Sequence, residues 1–349
     1  MKLVKTTEAA GHVLCHDITR IVPGQTKGPA FRKGHVVREE DIDVLLNLGK
    51  EHIFIWEDAP GMVHENDAAE ILCEMCLGTN IERSEVKEGK IDLRASIDGL
   101  FKVKRELLNR INGLGQIVVA ARHGNFPVRA GDLLAGVRVV PLLIEEAKMK
   151  AAKELCGDSA LLNILPFKQK KAGLIVTGSE VLHGRISDAF TPVLKNKLAE
   201  YGVEIAKRAV PGDDNERITE TCLEMLNQRQ QQQRLDIVVC AGGMSVDPDD
   251  RTPLAIKNTG ANVVSYGAPV LPGSMFMLAY YSGPSGEIPI VGLPGCVMYN
   301  KRSIFDLVLP RIVADDRISK EDLSQLGNGG LCLNCQECVF PNCGFGKGY

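Results

Sequence analysis

The sequence predicts an α/β fold: a domain over residues 172–314 with a mainly parallel sheet, preceded by smaller α+β and β-rich units and followed by a Cys-rich tail. Two observations carry this. From residue 172 onward, strand-type apolar runs alternate with helix-type stretches, the pattern of parallel strands whose connecting helices cover both faces. The strand-type runs also end in turns rich in Gly, small hydroxyls or acids: Thr177-Gly178-Ser179-Glu180, Pro211-Gly212-Asp213-Asp214, Gly242-Gly243-Met244-Ser245 and Gly292-Leu293-Pro294-Gly295. In a parallel sheet these turns converge on one rim, beyond the C-terminal strand ends, where ligands of such sheets bind.

The elements follow in chain order. Residues 1–66 read as a small α+β unit, with strand-type runs over 18–22 and 52–56 and a helix over 39–49 that opens on acids and closes on Gly49. Residues 67–165 begin with a helix over 67–77 and continue as a β-rich unit, with strands over 116–121 and 133–140 and a helix near 104–111; Pro127, Gly131 and Gly136 mark turns. A charged helical stretch over 145–153 leads to the basic boundary Pro166-Phe167-Lys168-Gln169-Lys170-Lys171. Beyond it come strand 172–176, helix 188–201 closed by Gly202, strand 203–210, helix 215–230, strand 235–240 and helix 252–258, then strands near 275–280 and 288–291 and one long helix over 297–313. The polar run from Asn227 to Arg234 reads as a solvated helix end without function.

Composition narrows the function. The chain has 349 residues, enough for two or three domains of roughly 100–200 residues each. A net charge of −3 with 44% hydrophobic residues excludes disorder as the main state and leaves no basic surplus for nucleic acid. The N-terminal residues lack a signal-type apolar core, and no stretch reaches the roughly 18 apolar residues of a membrane span, so a cytoplasmic protein is expected.

The glycine turns suit a phosphate-bearing ligand, because Gly permits close backbone approach and helix N-termini present free N–H groups to an anion. The same rim carries Asp188, Asp213, Asp214, Asp247, Asp249 and Asp250. Carboxylates beside a phosphate repel it unless a hard cation lies between, so a magnesium–phosphate site is one expectation. The alternative is that Asp188, Asp214 and Asp250 cap helices.

The ordered set Thr177-Gly178-Ser179-Glu180, Gly184-Arg185-Ile186-Ser187-Asp188, Asp213-Asp214, Gly242-Gly243-Met244-Ser245 through Asp250, Pro272-Gly273 and Gly292-Leu293-Pro294-Gly295 resembles the molybdopterin-binding domain of molybdenum-cofactor biosynthesis proteins. The resemblance implies a three-layer α/β domain that binds molybdopterin or its adenylylated form. Thr177, Gly178, Ser179, Glu180, Gly242, Gly243, Ser245, Pro294 and Gly295 would hold the pterin and phosphate, Asp213 and Asp250 would hold Mg2+, and Asp188 and Asp250 would be the catalytic acids. Gly-Leu-Pro-Gly points to the molybdotransferase branch, which inserts molybdate into adenylylated molybdopterin. However, that branch's N-terminal Asp-Ser-Ala-Met-Asp-Gly-Tyr-Ala-type motif is absent, the cations that flank its Pro-Gly are Leu271 and Ser274 here, and Cys296 replaces its Asn. The stretch 242–255 is closer to the adenylyltransferase and competence-damage-protein branches. The alternative to a transferase is a non-catalytic carrier that delivers the cofactor to a molybdenum enzyme. A homo-oligomer is expected by analogy with related domains.

The cysteines divide in three. Six are expected to be buried and inert, among them Cys73 and Cys76 on one helix face; Cys296 stands at the rim. Cys332, Cys335, Cys338 and Cys343 form C-x2-C-x2-C-x4-C, a ligand count that suits Zn2+ or an iron–sulfur cluster, behind a flexible tether at 326–330.

Overall fold

A computed structural model describes residues 1–22, 26–57, 59–228, 234–283 and 286–348. The chain forms two compact units. The first comprises 1–96, 103–122 and 130–163, and the second 97–102, 123–129 and 164–349.

In the first unit, Lys2–Lys5 pairs antiparallel with His52–Ile55 and Ile18–Val22 with Thr26–Phe31. Helix Glu39–Asn47 contributes Leu45 to a small core with Ala9, Leu14, Ile18, Val37, Ile53 and Ile55. Helix Glu65–Cys76 buries Ala68, Leu72, Cys73, Met75 and Cys76, the apolar face that helical spacing produces. A four-stranded antiparallel sheet follows in the order Ile81–Arg83, Lys90–Ala95, Leu133–Val139, Ile117–Ala121.

The second unit carries the α/β domain: β1 (Lys171–Val176), α1 (Ser179–Leu182), α2 (Phe190–Ala199), β2 (Glu204–Ala209), α3 (Asn215–Leu226), β3 (Ile237–Ala241), α4 (Thr252–Asn258), β4 (Asn262–Tyr266), β5 (Met277–Gly283), β6 (Gly286–Leu293), α5 (Cys296–Tyr299), α6 (Ile304–Val313) and α7 (Lys320–Gln325). The sheet order is β2-β1-β3-β6-β5-β4. The first three pairings are parallel and the last two antiparallel. Alternate side chains of each strand enter opposite layers. Leu174, Val176, Val239, Ala241, Val291 and Leu293 join Phe190, Leu194 and Leu198 of α2 and Ile304, Phe305 and Val308 of α6. Ile175, Val238, Cys240 and Ile290 join Ile218, Cys222 and Met225 of α3 and Ala255 and Ile256 of α4. The domain is therefore three-layered, as the resemblance implied.

Three local expectations are corrected. The helix expected over 297–313 is two helices, because Ser303 and Asp306 form a capping box: Ser303 Oγ accepts the Phe305 N–H at 3.3 Å and Asp306 Oδ2 accepts the Ser303 N–H at 2.7 Å. Strand β4 was not foreseen; it lies at a sheet edge, with Asn262 and Tyr266 exposed and the three residues between them only partly buried, so no clean two-residue period marks it. Residues 326–330 are not a free tether. Gly330 O accepts the Leu271 N–H at 2.8 Å, Leu271 O accepts the Cys332 N–H at 2.8 Å, and Gly346 N–H donates to Gly329 O at 2.9 Å. The tail thus packs on its own unit, with Phe345 buried in the domain core. Residues 229–233 of the polar run lie outside the described residues. Among the described residues, no helix is long and apolar enough to cross a membrane.

Candidate functional site at the strand ends

Register sets the site. Val176 of β1 lies opposite Ala241 of β3, and Ala241 opposite Leu293 of β6, so three neighbouring parallel strands end level. The next residues, Thr177, Gly242 and Pro294, begin three loops side by side. The Thr177 N–H donates to Ala241 O at 2.9 Å and the Gly242 N–H to Leu293 O at 3.1 Å, which continues the ladder one residue past the strands.

The first two loops interlock. Gly242 has φ +95°, and a Cβ there would lie 2.8 Å from Thr177 Oγ1; Gly243 has φ +57°, and its Cβ would lie 2.6 Å from Thr252 Oγ1. Only glycine passes this corner without strain. The Thr177 hydroxyl turns inward: it lies 3.3 Å from both Ala241 O and Thr252 Oγ1. Thr252, at the start of α4, donates its hydroxyl to Gly242 O at 2.8 Å. Sequence reasoning missed Thr252 as a site-shaping residue; the available signal was the Thr-Pro pair that opens a helix directly after a glycine turn.

The acids brace the loops. Asp213 Oδ2 accepts the Ser179 N–H at 2.6 Å, and Asp250 Oδ2 accepts the Ser245 N–H at 2.7 Å. Asp214 caps α3 through the Arg217 N–H at 2.9 Å, and Asp247 Oδ1 accepts the Asp249 N–H at 3.0 Å. Asp188 Oδ1 accepts the N–H groups of Phe190 and Thr191 at 2.9 and 3.0 Å, while Oδ2 takes the Thr191 hydroxyl and the Arg208 guanidinium. Partial burial raises the Asp188 pKa, but the Thr191 and Arg208 bonds outweigh it and hold the carboxyl below its ordinary value. Arg208 had no place in the sequence reading, since pairing across a turn leaves no local motif. Among the described residues, the N–H groups of Gly178, Glu180, Gly243 and Met244 donate to no protein acceptor. Pro294 and Gly295 turn the third loop into α5, and burial pushes the half-buried Cys296 thiol up.

The expected metal centres are not formed. Among the described residues, no group of three or more His, Cys, Asp or Glu side chains is placed to hold a metal ion. Asp213 and Asp250 each accept a backbone N–H, Asp213 from the neighbouring loop at Ser179 and Asp250 from its own loop at Ser245. In the tail, Cys332 and Cys343 pack against the apolar core, while Cys335 and Cys338 stay exposed. The four tail thiols are thus divided between packed and exposed positions.

Level parallel strand ends, glycine corners and open N–H groups define a class: an α/β domain whose loops converge at the C-terminal rim of a mainly parallel sheet, the rim where ligands of such sheets bind. Residues 173–314 match the family described as a probable molybdopterin binding domain. Residues 3–57 match a domain of unknown function, DUF8806. A CinA-like protein of Mycobacterium avium is 40% identical over 82 residues, which is 24% of this chain and 18% of that protein. A Bacillus subtilis protein described as competence-damage inducible is 33% identical over 90 residues, 26% of this chain and 20% of that protein. The matched stretch thus spans about a fifth of each relative. Among solved structures, the tungsten cofactor synthesizing protein MoaB from Pyrococcus furiosus is 18% identical, with 43% of this chain and 99% of that one covered and a TM-score of 0.35. The molybdopterin biosynthesis enzyme MoaB from Thermus thermophilus is 19% identical, with 42% and 97% covered and a TM-score of 0.33.

Proposed function

We propose that the rim of the second unit binds molybdopterin, free or adenylylated, and that the chain acts in molybdenum-cofactor biosynthesis. The observation that carries this is the level ending of β1, β3 and β6, which brings the Thr177, Gly242 and Pro294 loops together under one ligand. The phosphate sits on the open N–H groups of Gly178, Glu180, Gly243 and Met244, where backbone dipoles replace the lysines that other anion sites use. The acids hold these loops in shape. That near-neutral chemistry agrees with a net charge of −3.

One observation favours a carrier over a molybdotransferase. Where the resembled branch has a cation, Leu271 is apolar and half exposed, and both its backbone groups are bonded to the tail at Gly330 and Cys332. Molybdate is a dianion, and this position offers it no charge.

The test is equilibrium binding of molybdopterin by the purified full chain, followed by incubation of the adenylylated form with molybdate. Tight pterin binding without AMP release supports the carrier. AMP release on molybdate addition supports the transferase, and no pterin binding overturns both.

A further inference from the structure

Strand register carries one more side chain to the rim. Tyr266, the last residue of β4, lies opposite Met277 of β5, Met277 opposite Gly292 of β6, and Gly292 opposite Cys240 of β3. Paired residues of neighbouring strands point to the same face of a sheet, so this row crosses four strands and ends on β3 just short of Gly242. Gly292 is the gap in the row. A Cβ there would lie 2.7 Å from Met244 Sδ and Cε, so the Met244 side chain lies across β6 at that point, buried with Met277 and Cys240. Met244 and Tyr266 thereby meet at the end of the sheet.

The Tyr266 hydroxyl donates to Met244 O at 2.9 Å. The N–H of that same peptide group belongs to Ser245 and donates to Asp250 Oδ2 at 2.7 Å. A peptide group is planar, with C=O and N–H pointing opposite ways, so the two bonds hold it at both ends and its plane turns only if one of them breaks. In the peptide group before it, Gly243 O accepts the Thr252 N–H at 3.1 Å. Three of the four ends of these consecutive groups are therefore held by protein. The fourth is the Met244 N–H, which among the described residues donates to no protein acceptor. Tyr266 itself is 44% exposed at the sheet edge. Partial burial, then the nearby Asp250 carboxylate, push its hydroxyl above the ordinary value, so it keeps its proton at neutral pH.

We infer that Tyr266 is a positioning residue for the phosphate of the bound pterin: its hydroxyl fixes the Met244–Ser245 peptide, and through it the direction of the open Met244 N–H. This rests on the reading of the rim as a molybdopterin site. A donor already turned toward an incoming anion needs no reordering on binding, whereas a donor on a loose loop must first be ordered. Tyr266 acts through the loop, from an edge strand outside the three strands that carry the site.

The test compares wild type with Tyr266→Phe, which keeps the ring and removes only the hydroxyl, in equilibrium binding of molybdopterin and of its dephosphorylated form at neutral pH. Loss of one neutral hydrogen bond should weaken molybdopterin binding about fivefold. Affinity for the dephosphorylated pterin should stay the same, and circular dichroism should show both proteins folded alike. A merely structural role would lower both affinities together. Equal affinities of the two proteins for molybdopterin, or an equal loss for both ligands, overturn the inference and leave the pterin reading standing. If wild type binds neither ligand, the reading of the rim falls and the inference with it.

Discussion

Asp213 Oδ2 accepts the backbone N–H of Ser179 at 2.6 Å, so the loop after β2 grips the loop after β1. A bond between a charged acceptor and a backbone donor contributes about 1.5–3 kcal/mol. Asp213→Ala should lower stability to urea by that order and weaken pterin binding about tenfold, while Asp213→Asn, which keeps an acceptor, should retain most of both. Wild-type affinity in the alanine variant would remove the bracing role.

Gly242 tests the loop corner. Gly242→Ala places a Cβ at φ +95° and 2.8 Å from Thr177 Oγ1, and should cost about 1–3 kcal/mol while abolishing pterin binding. Gly260→Ala is the control: it also has positive φ, at +80°, but its Cβ meets nothing within 4 Å and it lies outside the rim loops. Thermal denaturation should show both variants destabilised, with only Gly242→Ala losing the ligand.

Asp188 predicts a pH dependence. Its folded pKa is depressed, so its contribution is complete above the unfolded value of about 3.9 and is lost as pH falls through the lower folded value. The melting-temperature gap between wild type and Asp188→Ala should therefore be constant from pH 7 to about 5 and close below about 4. A gap that widens on acidification would contradict the sign.

A fourth prediction concerns the support of α6. Lys197 Nζ lies 2.8 Å from both Asp306 oxygens and 2.9 Å from Lys301 O, with the Lys197 and Asp306 side chains 8% and 3% exposed. Lys197→Met should cost about 1–3 kcal/mol in urea unfolding, because Asp306 loses one of two cations and keeps Arg302 Nη1 at 2.8 Å. The added substitution Asp306→Asn should recover part of that loss.

The alternation of strands and helices in 172–258 was legible because glycine turns and apolar runs are local signals, whereas the edge strand at 262–266 and the break between α5 and α6 were not. Nor was side-chain duty. Thr177 reads as part of a ligand-holding turn, but the inward placement of its hydroxyl depends on Thr252, 75 residues further along the chain. Asp188 has both a cap reading and a catalytic one, and only the positions of Thr191 and Arg208 show that both its oxygens are engaged. The tail misled for a related reason. Cysteine spacing records what the chain could chelate, whereas the burial of Cys332 and Cys343 depends on a surface formed by residues far upstream.

Phe126 and Phe345 belong to one core, and a Cβ on Gly346 would collide with Leu307 at 2.3 Å. Synthesis proceeds from the N-terminus, so strand 126–128 emerges from the ribosome long before the residues that finish its packing. The second unit must wait with apolar strands uncovered, which makes its folding slow and exposed to aggregation in the interval.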